Sequence, residues 1–182
     1  MIIWILPAIK QRKNNFFFYF LVLAIGDPLN YISFYLFGIN PANSVFLYMS
    51  YIMLISILER RVIKKHMIIF VIPFMFMIFT NIFTDIMDGN ALKLAFILIH
   101  SLIFSIILKL YAFNQTEKGA INWFFIVLLF YELTVIFKFV GVTFELANAT
   151  GYFIFTTLFQ IAFGLFFSVF RADDQRIISK LR

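Results

Sequence analysis

Six long apolar stretches constrain the fold of this chain more strongly than any other feature of its sequence. Each contains 18 to 23 residues, close to the roughly 20 that a helix needs to cross a hydrocarbon core about 30 Å thick. The sequence therefore predicts an all-α membrane protein, a compact bundle of six transmembrane helices. The six predicted spans are Phe16–Phe37, Pro41–Leu58, Met67–Thr84, Ala91–Phe113, Ile121–Val142 and Gly151–Phe170.

Composition excludes an ordinary water-soluble domain. The chain is 63% hydrophobic and 13% charged, whereas soluble domains carry about 25% charged residues. We expect one transmembrane bundle over residues 16–170, preceded by a basic interfacial segment over 1–15 and followed by a cytoplasmic tail over 171–182.

Basic residues are distributed unequally between the two sides of the predicted bundle. Thirteen of the fifteen Lys and Arg residues fall on one side, while Lys93 lies on the other and Lys138 lies within the fifth span. Cytoplasmic loops retain Lys and Arg during insertion. We therefore predict a multi-pass protein of the bacterial inner membrane with both termini in the cytoplasm.

The two terminal segments are too short to cross a membrane. Met1–Ile9 is apolar and precedes basic residues, which predicts a short interfacial anchor with Trp4 at the level of the headgroups. Arg171–Arg182 is expected to continue the sixth span as an amphipathic helix, with Asp173 and Arg176 as an i,i+3 ion pair.

Polar residues within the spans are the candidate functional site. Ionisable groups are costly in hydrocarbon, so each needs a partner, a cavity or a function. Two interpretations are open: a buried site for a proton, a cation or a small polar ligand, or hydrogen bonds that only hold the bundle together. The candidates are Asp27, Asn30, His100, Glu132, Lys138 and Gln160.

The tripeptide Gly26-Asp27-Pro28 predicts a kink or break near the middle of the first span. Proline removes a backbone donor and disfavours the α conformation of the residue before it. Broken helices at this depth form binding sites in many transporters.

The loop after the second span is strongly basic. Arg60, Arg61, Lys64 and Lys65 predict contact with anionic lipid headgroups on the cytoplasmic side. Arg61 and His66 are also separated by four residues, the minimal spacing of some helical ribonucleases, but two residues in a basic loop define no family. No nucleic-acid partner is expected.

No sequence motif predicts a catalytic residue, a metal site or a cofactor. We therefore expect a non-enzymatic accessory or sensing subunit that acts through other membrane proteins or as a homo-oligomer. The alternative is a small transporter or channel subunit that uses Asp27, Glu132, His100 and Lys138. A lipid-modifying enzyme using Asp27, His100 and Glu132 is a third possibility.

Overall fold

The computed structural model describes residues 2–37, 43–58, 60–68, 70–75, 89–144 and 149–180, which are predominantly helical. The helices are α1 (Ile5–Lys10), α2 (Phe17–Phe37), α3 (Asn43–Ile57), α4 (Arg60–Lys65), α5 (Gly89–Lys118), α6 (Trp123–Thr143) and α7 (Ala149–Val169). Two short strands, β1 (Ala120–Asn122) and β2 (Ile178–Lys180), form an antiparallel pair. One 3₁₀ turn precedes α1 at Ile2–Trp4, and another precedes β2 at Gln175–Ile177.

The helices pack in a closed ring. Helix α2 contacts α3, α3 contacts α5, α5 contacts α6, and α6 contacts α7. The short helix α1 lies between α2 and α7 and closes the ring. The N-terminal segment is therefore part of the bundle, and the interior is enclosed by helices from both halves of the chain.

Five of the six predicted spans correspond to helices in the described residues, namely α2, α3, α5, α6 and α7. Of the third predicted span, residues 67–68 and 70–75 are helical and the remainder lies outside the described residues. Within the described residues, two helices are long and apolar enough to cross a membrane, over Asn90–Glu117 and Trp123–Thr143. Shorter apolar helical stretches cover Phe17–Gly26, Val45–Ile57 and Ile154–Val169.

Helix α2 is continuous through Pro28, so the first span is not interrupted there, and of the predicted kink or break the break is wrong. A proline inside a helix removes one hydrogen bond, and the remaining bonds of α2 maintain the helix. Gly26 packs against α3, because a Cβ at this position would lie 3.4 Å from Cε of Met49.

The C-terminal tail is not the predicted helical continuation of the last span. It turns after α7 and returns as β2, in which Ser179 pairs with Ile121 of β1. The predicted Asp173–Arg176 pair is also replaced, because Arg171 pairs with Asp173 at 3.1 Å and Arg176 pairs with Asp174 at 2.6 Å. Pairing with β1 gives hydrogen-bond partners to backbone N–H and C=O groups of both strands, and this is an alternative to the hydrogen bonds that a helical tail would make.

Trp4 is buried in the bundle, whereas the predicted interfacial anchor required it to lie at the level of the headgroups. Its side chain is 4% exposed, and its ring centre lies 5.0 Å from that of Tyr131 and 6.4 Å from that of Phe20. The amide of Gln11 fixes the end of this segment by donating to the carbonyl oxygens of Phe167 and Phe170 at 3.3 and 2.8 Å. Aromatic packing and these two hydrogen bonds therefore hold the segment within the ring.

Candidate functional site

A fully buried carboxylate, that of Glu132, lies at the centre of the ring. The Tyr19 hydroxyl of α2 donates a hydrogen bond to Glu132 Oε1. On the other side, His100 Nδ1 of α5 lies 2.7 Å from Glu132 Oε2. Both carboxylate oxygens are therefore bonded to side chains from other helices, as burial of an ionisable group requires.

The hydrogen-bonded chain continues from the imidazole to helix α3. His100 Nε2 lies 3.1 Å from Ser50 Oγ, and the Ser50 hydroxyl donates to the Phe46 carbonyl oxygen at 2.9 Å. We call Tyr19, Glu132, His100 and Ser50 the polar network. Because its four members belong to four different helices, it joins α2, α3, α5 and α6 through side chains alone.

The hydrogen-bond geometry is compatible with a neutral carboxylate–imidazole pair. Ser50 has one hydroxyl proton, and when Phe46 receives it, the Ser50 oxygen accepts from a protonated His100 Nε2. His100 Nδ1 and Glu132 Oε2 then share one further proton, so the pair is neutral whichever atom holds it. A neutral pair suits this position, since His100 is only 3% exposed and Glu132 is fully buried, and a net charge there costs several kcal/mol.

A second hydrogen-bonding arrangement of the same atoms is open to the network. His100 then donates from Nδ1 to Glu132, and Nε2 becomes an acceptor. The Ser50 hydroxyl must rotate away from the Phe46 carbonyl to donate to Nε2. The network therefore has two hydrogen-bonding states, which differ in whether Ser50 donates to Phe46 or to His100.

Local sequence explains how each side chain reaches the network. Asn122 accepts a hydrogen bond from the Phe124 backbone N–H at 3.0 Å and caps the start of α6, which fixes the helix that carries Glu132. Tyr19 lies in the first turn of α2, where its long side chain reaches toward the interior. Its position near a helix end is typical of an interfacial tyrosine, so sequence reasoning missed it.

Ser50 was missed for a different reason. A serine inside an apolar helix usually bonds to a carbonyl one turn earlier, as Ser50 does with Phe46. Nothing in its local sequence distinguishes it from Ser105, which bonds to the Ser101 carbonyl oxygen at 2.8 Å. The contact with His100 depends on how α3 packs against α5.

A cavity of about 460 Å³ lies beside the polar network. Ser50, His100 and Tyr131 line it together with Trp4 from the N-terminal segment. Apolar side chains of α3, α5 and α6 form much of the remaining wall, namely Met49, Met53, Leu92, Phe96, Val135 and Phe139. The cavity thus reaches the imidazole of the network from within the ring.

Two other predicted site residues, Lys138 and Gln160, also line this cavity. The structure therefore brings His100, Lys138 and Gln160 to one cavity and bonds Glu132 to His100 behind it. The side chains of Asp27 and Asn30 lie outside the described residues.

The predicted lipid-contact residues are only partly described. Lys64 and Lys65 are exposed at the end of α4. The side chains of Arg60 and Arg61 lie outside the described residues.

Serine, imidazole and carboxylate in this order resemble the parts of a serine nucleophile site. Ser50 Oγ lies 2.9 Å from the Phe46 carbonyl oxygen and 3.1 Å from His100 Nε2, so a backbone acceptor of its own helix competes with the imidazole for the hydroxyl proton. Among the described residues, no group of three or more His, Cys, Asp or Glu side chains is placed to hold a metal ion.

Comparison of the chain with protein families, with curated proteins and with solved structures finds no match. The fold and the site therefore define the class of protein by themselves. The part of the chain that the structure describes is a helical bundle, in which two helices are long and apolar enough to cross a membrane and a carboxylate–imidazole pair is buried.

Proposed function

We propose that this chain is a multi-pass protein of the bacterial inner membrane that acts as a non-enzymatic accessory or sensing subunit through protein partners. The observation that carries the proposal is the polar network, which links four helices through one buried carboxylate–imidazole pair. Its two hydrogen-bonding states give the bundle an element that can respond to a change in protonation or in cavity occupancy.

The surface of the bundle supports the membrane assignment. Large apolar side chains are exposed on several helices, including Tyr35 at 70%, Leu98 at 61%, Phe137 at 58% and Leu158 at 60%. Extensive apolar exposure of this kind is unfavourable in water and favourable against acyl chains.

Contacts between the terminal segments support the proposed orientation. Gln11, next to Lys10 and Arg12, bonds to Phe170 at the end of α7, and β2 pairs with β1 between α5 and α6. Three of the four basic segments therefore meet at one end of the bundle. We assign this end to the cytoplasm, because Lys and Arg are retained there.

Partner binding is tested by purification of the tagged chain from native membranes in a mild detergent. We expect an integral membrane protein to be retained in fixed ratio, since an accessory subunit works through a stable complex. Recovery of the chain alone, or only with itself, would contradict the partner part of the proposal.

The sensing role is tested with two serine variants that make the same local hydrogen bond. Ser50→Ala removes the hydroxyl that contacts His100, whereas Ser105→Ala removes an exposed hydroxyl that bonds only its own helix. We expect Ser50→Ala to change the amount of retained partner or its dependence on pH, and Ser105→Ala to change neither. Equal behaviour of the two variants would argue against the network as the sensing element.

The second candidate is a transporter or channel subunit. The observation that favours it is the route from the cavity to Glu132 through His100. Proteoliposomes containing a pH-sensitive dye test it: a conducted proton or cation should give a flux that Glu132→Gln abolishes. Absence of flux with the wild-type chain would leave the accessory role as the supported one.

A further inference from the structure

We propose that a groove between α1 and α2 on the outside of the bundle binds one acyl chain of an anionic phospholipid, whose phosphate contacts Arg12. The inference rests on the proposed membrane location and names a lipid partner for a surface that lies away from the polar network. The groove has a volume of about 660 Å³, within the usual range of small-ligand sites, roughly 300 to 1,000 Å³.

Two antiparallel helices form the walls of the groove. Helices α1 and α2 contact each other and are joined by residues 11–16, a connection short enough to make them antiparallel neighbours. Ile5 and Ile9 belong to the α1 wall. The α2 wall begins at Phe17 and ends at Ile32, and its members recur every three or four positions, so they share one face of the helix.

Small side chains lie at the bottom of the groove and large ones at its edges. Ala8 of α1 and Ala24 of α2 both line it and are buried, at 4% and 6% exposed. Ile9 and Ile25 also line it and are exposed at 65% and 44%. The surface is therefore a narrow apolar furrow, a shape that fits one extended hydrocarbon chain.

The charge of the groove is concentrated at one end. Arg12 is the one charged side chain among the described residues that line it. It is exposed, and the ion pairs of the described residues do not include it. Because Arg12 follows α1 and precedes α2, it lies near Phe17, at the basic end of the bundle. Its guanidinium presents the planar set of donors that matches a phosphate.

The length of the groove matches the depth of a lipid leaflet. Phe17 and Ile32 are fifteen positions apart, about 22 Å along α2 at 1.5 Å per residue. One leaflet contributes about 15 Å to a hydrocarbon core about 30 Å thick. A phospholipid with its phosphate at Arg12 therefore places its chain along the whole furrow, whereas an apolar helix of a partner protein would make no use of Arg12.

Selectivity should come from the headgroup. Lipid tails are as apolar as the side chains of the groove, so an acyl chain gains little by moving there from the bilayer. Arg12 distinguishes headgroups by net charge, because the cation of a zwitterionic headgroup competes with the guanidinium for the phosphate. Phosphatidylglycerol should therefore bind more tightly than phosphatidylcholine with the same acyl chains.

The headgroup is tested by native mass spectrometry of the delipidated protein, titrated with these two lipids in one detergent. We expect one phosphatidylglycerol to bind saturably and more tightly than phosphatidylcholine. Arg12→Gln should weaken its binding about fivefold, the factor that corresponds to about 1 kcal/mol for one basic residue, and Arg12→Lys should retain most of it. Lys13→Gln is the matched control, because Lys13 is exposed beside Arg12 but does not line the groove.

The acyl chain is tested with single cysteines, since the chain contains none. A fluorophore on Ile32→Cys reports on the far end of the groove. Leu98→Cys is the control at similar depth: Ile32 lies sixteen positions from Phe16 and Leu98 fifteen from Phe113, and both phenylalanines line one cleft at the basic end. The quencher is phosphatidylglycerol with a nitroxide near the end of one acyl chain, added to phosphatidylcholine nanodiscs.

We expect quenching at Ile32→Cys to saturate at a low fraction of the nitroxide lipid and to weaken with Arg12→Gln. Quenching at Leu98→Cys should rise in proportion to that fraction and be unaffected by Arg12→Gln. A nitroxide placed beside the headgroup should quench Ile32→Cys less.

Three results would overturn the inference: equal affinity for the two lipids, equal losses in Arg12→Gln and Lys13→Gln, and proportional quenching at both labelled positions. Thermal unfolding of each variant is recorded in parallel, and the comparison of the two lipids needs no variant at all. Because partner retention is measured without added lipid, failure of lipid binding is distinguishable from failure of the accessory role.

Discussion

Glu132 offers the sharpest test of how the polar network contributes to the bundle. The carboxylate receives a hydrogen bond from Tyr19 and contacts His100 Nδ1 at 2.7 Å. Glu132→Gln keeps the size of the side chain, and its amide oxygen can accept from Tyr19 while its NH₂ donates to Nδ1 of a neutral His100. We expect this variant to lose less than about 1 kcal/mol of the free energy of unfolding.

Glu132→Ala should behave differently, because it leaves the Tyr19 hydroxyl and the His100 ring nitrogen buried without these partners. Each hydrogen bond in a membrane bundle contributes about 0.6 to 1.7 kcal/mol, and the orphaned polar groups add to the loss, so we expect about 2 to 4 kcal/mol. At about 2 to 4 °C per kcal/mol, the unfolding midpoint should fall by about 5 to 15 °C.

The assay is thermal unfolding in detergent, followed by circular dichroism, with reversible unfolding in a denaturing detergent as a second measure. Glu117→Ala, an exposed carboxylate on α5, is the control and should change stability by less than about 0.5 kcal/mol. Equal losses in the Gln and Ala variants would refute the neutral-pair reasoning. An unchanged midpoint in Glu132→Ala would show that the network does not stabilise the bundle.

Other contacts give further predictions. Gln11→Ala removes the donor to the Phe167 and Phe170 carbonyl oxygens and should cost about 1 to 3 kcal/mol, with faster hydrogen exchange over residues 2–10; unchanged exchange there would contradict the role of Gln11. Gly164→Leu should displace Ile3, because even a Cβ at Gly164 would lie 3.2 Å from Ile3 Cγ2, whereas Gly151→Leu meets nothing within 4 Å at its Cβ; thermal unfolding should separate the two variants, and equal midpoints would argue against docking of the N-terminal segment on α7. The Arg176 guanidinium hydrogen-bonds to Asp174 and lowers the pKa of that carboxyl from 3.8 to about 2, so the contact should be fully present above pH 3.8 and be lost as pH falls through about 2; hydrogen exchange of β2 at pH 3 should be faster in Asp174→Asn than in the wild type, and identical rates would exclude a contribution from the pair.

The helical part of the fold could be predicted from apolar run length alone. The bounds of α2 differ from the first predicted span by one residue at the start, and those of α7 differ by a few residues from the sixth. The tail could not be predicted this way, because the choice between helix and strand over Ile178–Lys180 depends on pairing with β1, far away in sequence. Trp4 was likewise placed by general interfacial preference, whereas its burial depends on the gap between α2 and α7 that α1 fills.

The candidate site was predictable only for side chains whose burial is costly. Glu132 and His100 stand out in any apolar span because an ionisable group there requires a partner, and the structure bonds them to each other. Tyr19 and Ser50 carry no such signal, since a tyrosine near a helix end and a serine within a helix are both ordinary. Tyr19 and Ser50 belong to the polar network because of how the helices pack, and the spacing of apolar residues along the sequence does not specify that packing.

The proposed membrane topology can be tested most directly by single-cysteine labelling, because the chain contains no cysteine. Asn90 and Phe144 are exposed near one end of the bundle, and Thr116 and Ser179 are exposed near the other. In spheroplasts, a membrane-impermeant maleimide should label Asn90→Cys and Phe144→Cys, and should label Thr116→Cys and Ser179→Cys only after the membrane is disrupted. Labelling of all four variants in intact spheroplasts, or of none, would contradict a bundle that crosses the membrane with its basic end in the cytoplasm.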